Sequence, residues 1–504
     1  MRVSVRSAAS PAVSEAAQPG SPVTAAGSVG NAGAAEETPP VSAPPVSATR
    51  AAVRGASPIA LAGLVANVAN IGVTLLVARL LSTRGYGALN QLVAVFFVLS
   101  IPGSALLVGI VRRVTLWQRT GHGQRVAGWA FRTRRRALVL VAVWAIIAIA
   151  IRGPLAGQLS LPGPGGLSET LIAGAVWGVL CLERGLLQAS HAYRALGVNL
   201  LVEGLSRCVL TITLVGAGFG VTGAAVAILL SVLLAETHAL TAQGIIDRRA
   251  LRRAAAERTK AASVSPPAQP VATVVLPAEA PTDEPPIPQP TWLEQRRERR
   301  SLATDLMSAL TALALLAILQ NFDVVLLGSY QPANSGSYAP ISVACKPLVL
   351  AAFVLAGFLL PEAASRRHAG QHALRQLGVV LAVIAVPAAM IITLSAAVPT
   401  QLLRFAFGPR LTAAAPGFAM LALAMTLLAC TVLFTHYLLA AGRHVALIVL
   451  ALGAGLTVVL LVNARGGIVA TARADLIGQA IVAVATGALV LHTARPRGRT
   501  RPLG

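Results

Sequence analysis

Twelve apolar stretches recur along this 504-residue chain, most of them close to the length that crosses a hydrocarbon core of about 30 Å. They lie near residues 58–81, 88–111, 137–151, 169–188, 196–217 and 219–242, then 302–328, 338–361, 377–398, 411–434, 443–463 and 468–493. The third is short, with apolar character continuing toward Pro154. A soluble domain of this size has no need of 55% hydrophobic and only 12% charged residues, or of a mean hydropathy of +0.72. The fold class is therefore an all-α polytopic membrane protein with about twelve transmembrane helices.

Charge sets the orientation. The net charge of +23 raises nucleic acid as a partner, but the basic residues gather between the apolar spans, which excludes that reading. With a cytoplasmic amino terminus, 32 of the 41 Lys/Arg residues fall in inner tails and loops and seven at outer positions, with Arg207 and Lys346 inside spans. That asymmetry puts both termini in the cytoplasm. Cys181, Cys208, Cys345 and Cys430 lie within spans without a C-x-x-C pair, so neither a disulfide nor a metal site is expected.

The domain organisation follows from composition. Residues 1–56 are rich in Ala, Pro, Ser and Val and read as a disordered cytoplasmic tail with no signal-peptide core. Residues 57–242 form one six-span set and 301–493 a second. Between them, 243–300 carries "DRRALRRAAAERTK", a proline-rich stretch and "WLEQRRERR", and reads as a cytoplasmic linker with basic ends. Residues 494–504 are a basic tail. The halves repeat weakly: "VARLLSTRGYGAL" (77–89) and "LLGSYQPANSGSYA" (326–339) hold matching places, with Gly87 and Gly336 equivalent.

Enzyme chemistry finds little support. "GFGVTG" (218–223) matches a dinucleotide fingerprint, but it joins two spans and has no strand before it, so it reads as a tight turn. No D-x-D occurs in the short outer loops, and the histidines are dispersed without metal-ligand spacing. A non-enzyme without cofactor or metal is expected.

Charges inside spans are more informative, because each is expensive in hydrocarbon and should face the protein interior or a wet cavity. Glu203 and Arg207 are four apart on one helix and share a face. Glu183, Arg184 and Glu236 lie in the inner parts of their spans, and Asp305 and Asp475 near span ends. Asp323 and Lys346 lie at similar depths on spans seven and eight, with Asn321 just before the aspartate and Pro347 just after the lysine. Residue count alone makes Asp323 and Lys346 a candidate pair, either structural or ligand-binding.

Several stretches together resemble the polysaccharide transporter (O-antigen flippase-type) family of the multidrug/oligosaccharidyl-lipid/polysaccharide exporter superfamily. They are "VARLLSTRGYGALNQL", "ERGLLQASHAYRALGVNLLVEGLSR", "GFGVTGAAVA", "QNFDVVLLGSYQPANSGSYAPISVACKPL", "LLPEAAS", "RFAFGPRLTAAAPGFAMLALAM" and "LLAAGRH", in that order over nearly all of 58–493. The proline-rich linker and long tail depart from the family pattern. The resemblance implies two six-helix bundles around a central cavity, and alternating-access movement of a polyprenyl-diphosphate-linked glycan across a bacterial plasma membrane. It implies a lipid-linked glycan, the bilayer and other polysaccharide-assembly proteins as partners. Arg207, Lys346 and Arg79 are then the cations expected to face the diphosphate, with Glu203, Asp323 and Asn321 beside them; the alternative for Arg79 is a side chain that only snorkels to the outer surface. Two rivals stand: a cation-coupled multidrug exporter, and a non-transporting scaffold for envelope assembly.

Overall fold

The computed structural model describes residues 46–120, 123–263, 292–368 and 374–494. Most of the amino-terminal tail, the proline-rich centre of the linker and nearly all of the carboxy-terminal tail lie outside the described residues. Within the unit Ala52–Gly504 the described chain is helical throughout, apart from short turns.

The helices are α1 (Val46–Leu80), α2 (Thr83–Arg119), α3 (Gln124–Gln158), α4 (Leu167–Ala189), α5 (Tyr193–Leu214) and α6 (Gly220–Ser263). The second half holds α7 (Trp292–Tyr330), α8 (Pro332–His368), α9 (Leu374–Ala397), the short α10 (Pro399–Phe407), α11 (Ala415–Ala440), α12 (Val445–Asn463) and α13 (Ile468–Ala494). Among the described residues, eleven segments are long and apolar enough to cross a membrane. One of them, Tyr193–Ile246, covers α5 and the first part of α6, so the twelve expected spans are all present. This is a multi-pass membrane protein.

Local chemistry sets the helix ends. Ser82 Oγ accepts from the Gly85 N–H at 3.1 Å and caps α2. The Glu169 carboxylate accepts from the Gly166 N–H at 3.0 Å at the start of α4. The "GFGVTG" turn reverses the chain between α5 and α6, with Gly218 at φ 92° and Gly220 at φ 56°, values that favour glycine. Pro154 does not end α3, which continues to Gln158; a membrane helix tolerates proline where neighbouring groups re-satisfy the freed carbonyl.

Several boundaries differ from the sequence reading. Helix α1 starts at Val46, inside the segment read as tail, and α6 and α7 extend into the basic ends of the linker. The expected tenth span starts too early, because α10 and a 3-10 turn at Pro409–Leu411 come first. Apolar run length cannot separate a span from a short helix that precedes it.

Each half is organised around one central helix. α4 packs on α2, α3 and α6; α11 packs on α8, α9 and α13. The largest apolar core lies around α11 and reaches across to Val77, Tyr86 and Leu89 at the junction of α1 and α2. Many large apolar side chains point outward instead, notably Leu140, Ile146 and Ile149 of α3, as expected where lipid replaces water.

Candidate functional site

The halves meet where α1 ends and α2 begins. Gly87 on α2 faces Gly336 on α8 so closely that a Cβ on Gly87 would collide with Ser335 Oγ and the Gly336 nitrogen. A Cβ on Gly336 would collide with the Thr83 carbonyl, and one on Gly328 with the side chain of Gln91. Around this seam Gln91 Nε2 donates to the carbonyls of Leu159 (3.3 Å) and Val325 (3.4 Å), and Ser160 Oγ donates to the Ser329 carbonyl at 2.8 Å. Arg79 donates to the carbonyls of Phe405 (2.9 Å) and Ala406 (3.5 Å), capping the end of α10. The structure thus places Arg79, expected as a substrate cation, in a contact between the halves.

In the first half, ion pairs link α3, α4 and α5. Arg134 clasps Glu183 through Nε and Nη2, both at 2.7 Å. Glu203 pairs with Arg207 one turn away, as the spacing predicted. It also pairs with Arg184 of α4 at 2.7 Å, a link that sequence spacing could not supply. Arg184 Nε donates to Asn199 Oδ1 at 2.7 Å, and its guanidinium lies 5.1 Å from the centre of the Trp177 ring. Arg184 and Glu203 are buried, whereas the Arg207 side chain keeps 21% of its surface exposed. Of the two guanidiniums, Arg207 is the accessible one.

The second half corrects the sequence reading. Among the described residues, the ion pairs within 4.0 Å are Arg134–Glu183, Arg184–Glu203 and Arg207–Glu203, so Asp323 and Lys346 are not in direct contact. Asp323 Oδ2 accepts from the Tyr338 hydroxyl at 2.9 Å, while Lys346 Nζ donates to Asn321 Oδ1 at 3.2 Å. The reason is angular. Residues two apart on a helix point roughly 200° from one another, so a lysine that meets Asn321 cannot also meet Asp323. Depth along the helices was right, and direction was not readable. Asp323 and Lys346 still interact electrostatically across the intervening space.

Asp475 joins the same cluster. It lies in the first turns of α13, fully buried, and interacts electrostatically with Asp323 and Lys346. Gln479 Nε2 donates to Asp475 Oδ1 (3.1 Å) and to the Leu319 carbonyl (3.0 Å), which fixes the amide orientation. Asp323 Oδ1, Asp475 Oδ2, Gln479 Oε1 and Thr471 Oγ1 are buried without hydrogen-bond partners. Tyr338 and Gln479 were missed by sequence reasoning. Their signals were the four-residue spacing of Asp475 and Gln479 and a tyrosine eight positions before Lys346 on one helix.

A cavity of about 300 Å³ opens between α1, α8, α9, α10 and α11. Ile71, Leu75, Ala344, Pro347, Leu394 and Phe418 line it, so its wall is apolar.

No family profile matches the chain, and no curated protein does. Solved structures do. An inward-facing multidrug resistance transporter of the MATE family superposes with a TM-score of 0.60 at 12% identity, covering 86% of this chain and 96% of that one. The lipid II flippase MurJ in an inward closed conformation gives 0.59 at 11% identity, over 86% and 87% of the two chains. A MATE transporter from Vibrio cholerae gives 0.57 at 14% identity, over 90% and 99%. The chain shares the fold of these solved transporters. Within that fold, the glycine seam joins two helical halves, and each half carries its own buried charge network.

Proposed function

We propose that this protein moves a polyprenyl-diphosphate-linked oligosaccharide from the inner to the outer leaflet of a bacterial plasma membrane by alternating access, for cell-surface polysaccharide assembly. Lys346 carries the reading. It is a cation within a membrane span whose hydrogen-bond partner is a neutral amide, not a carboxylate in contact. A carboxylate in contact would largely cancel its field; an amide positions the ammonium and leaves it able to attract an anionic head. The apolar cavity between α1, α8, α9, α10 and α11 suits the hydrocarbon part of the same molecule. Arg207, partly exposed on the other half, offers a second cation.

The likeness to MurJ, described as a lipid II flippase, supports this substrate class. The charge asymmetry of the loops supports cytoplasmic termini, so the glycine seam closes the outer side. Depletion should then leave lipid-linked glycan accumulating in the inner leaflet while its synthesis continues. Unchanged surface glycan in a clean deletion strain without a related transporter would overturn the proposal.

The likeness to MATE transporters favours one rival, a cation-coupled multidrug exporter. Against it, α1 contains no acidic residue. Drug susceptibility of the same deletion strain separates the two: a fall in resistance with normal surface glycan selects the exporter.

A further inference from the structure

The loop that joins α2 to α3 carries a second charged feature, distinct from the buried networks. Between Arg112 and Arg136 the sequence places eight arginines, and from Thr83 to Gly166 there is no Asp or Glu. Topogenic charge explains that arginines are present here. It does not explain their arrangement. Arg113 lies over two indole rings, 4.6 Å from the centre of Trp117 and 5.2 Å from that of Trp129. The rings themselves meet edge to face at 5.6 Å, one from each helix. Arg113 is nevertheless exposed, as are Arg112, Arg125, Arg132, Arg135 and Arg136. A cation held by aromatic faces and open to its surroundings is oriented for a ligand at little further entropic cost.

The surrounding packing shapes the site. α2 and α3 are consecutive, and both pack on α4. They come together at the loop end, where Ile110, Val114, Ala130, Leu182, Leu186 and Trp129 form one small cluster. Farther along the pair, Leu92, Val95 and Leu99 of α2 share a second apolar cluster with Trp144 and Ala148 of α3 and Leu171 of α4. Arg112 lies about 38 Å along α2 from Gly87, at 1.5 Å per residue, which places the arginines in a headgroup layer while Leu116 and Phe131 remain exposed apolar neighbours.

We propose that this hairpin end binds an anionic glycerophospholipid. Its phosphate sits against Arg113 and the flanking exposed arginines, and its acyl chains lie against the exposed apolar side chains Leu116 and Phe131. The charge complementarity is one-sided: Glu183, the carboxylate that reaches this region from α4, is already clasped by Arg134. The inference does not depend on which molecule is transported.

The test uses the full-length protein in detergent, with phosphatidylglycerol or phosphatidylcholine added at matched concentrations and bound lipid counted by native mass spectrometry. Wild type should retain phosphatidylglycerol at least fivefold more than phosphatidylcholine. The double change Arg112→Gln with Arg113→Gln should remove most of that preference. Arg248→Gln with Arg252→Gln, in a basic segment outside the site, should leave it intact. If the first double variant fails to fold, Arg125→Gln with Arg132→Gln gives the same reading. Equal retention of both lipids by wild type, or an unchanged preference in the site variants, would overturn the proposal. Displacement of the lipid by equimolar inorganic pyrophosphate would also overturn it, by showing a site for a soluble anion.

Discussion

Gly87 and Gly336, 249 positions apart and equivalent in the two halves, face each other across the seam between α2 and α8. Each approaches backbone of the other half so closely that a β-carbon has no room. The seam can therefore form only with glycine at both positions, and it gathers contacts that hold one end of the molecule shut.

Gly336→Val should oppose that closure. Overpacking of this kind costs about 1–3 kcal/mol, enough to shift a two-state equilibrium roughly five- to 150-fold away from the closed end. The yield of a disulfide between Thr83→Cys and Ser335→Cys reports the closed state and should fall sharply in the valine variant. An unchanged yield would show that the seam opens at no cost.

Glu203 serves two guanidiniums, so its loss should exceed that of either partner. Breaking a buried pair by removing one member costs about 3–5 kcal/mol, because the other charge is left uncompensated. Glu203→Gln and Arg184→Ala should lower the thermal unfolding midpoint and the amount of folded protein. Arg207→Ala, at the more exposed guanidinium, should keep its folded level and lose transport. Equal melting temperatures for Arg184→Ala and Arg207→Ala would contradict the burial difference.

Lys346→Met should abolish transport with folded protein still present. The exchange Asp323→Lys with Lys346→Asp should fail to rescue it, since the two side chains have different partners, Tyr338 and Asn321. Full activity in the exchanged protein would remove Lys346 from any role toward an anion. Tyr338→Phe should cost about 1.5–3 kcal/mol by stripping Asp323 of its hydroxyl donor, measurable as a lower unfolding midpoint.

Asp475 adds a second carboxyl to a cluster with one lysine, and both acids keep an oxygen without a partner. Asp475→Asn should raise stability by about 0.5–2 kcal/mol while slowing transport, the pattern expected where a functional group is held at a cost to the fold. A lower unfolding midpoint would show that the carboxylate stabilises the bundle.

Topology is testable without reference to substrate. A cysteine at Asn334, beside the glycine seam, should react with an impermeant reagent added outside the cell, and one at Ser265 should not. Strong external labelling at position 265 would reverse the proposed orientation.

Hydrophobic run length and the placement of arginine between runs told how many times the chain crosses a membrane. The reason is local: hydrocarbon tests each residue by its own transfer energy, so a sum over neighbours along the chain is enough. The Glu203–Arg207 pair was legible on the same ground, because helical spacing puts both on one face. The turn at Gly218 and Gly220 was legible too, because the need for positive φ is written in residue type. Partners on other helices were not. Arg184 reaches Glu203, Asp475 joins Asp323, and Lys346 turns to Asn321 because of how each helix is rotated against its neighbour. That rotation is set by the packing of many apolar side chains at once, above all around α4 and α11. Sequence could name Gly87 and Gly336 as equivalents; only the packed structure brought them into contact.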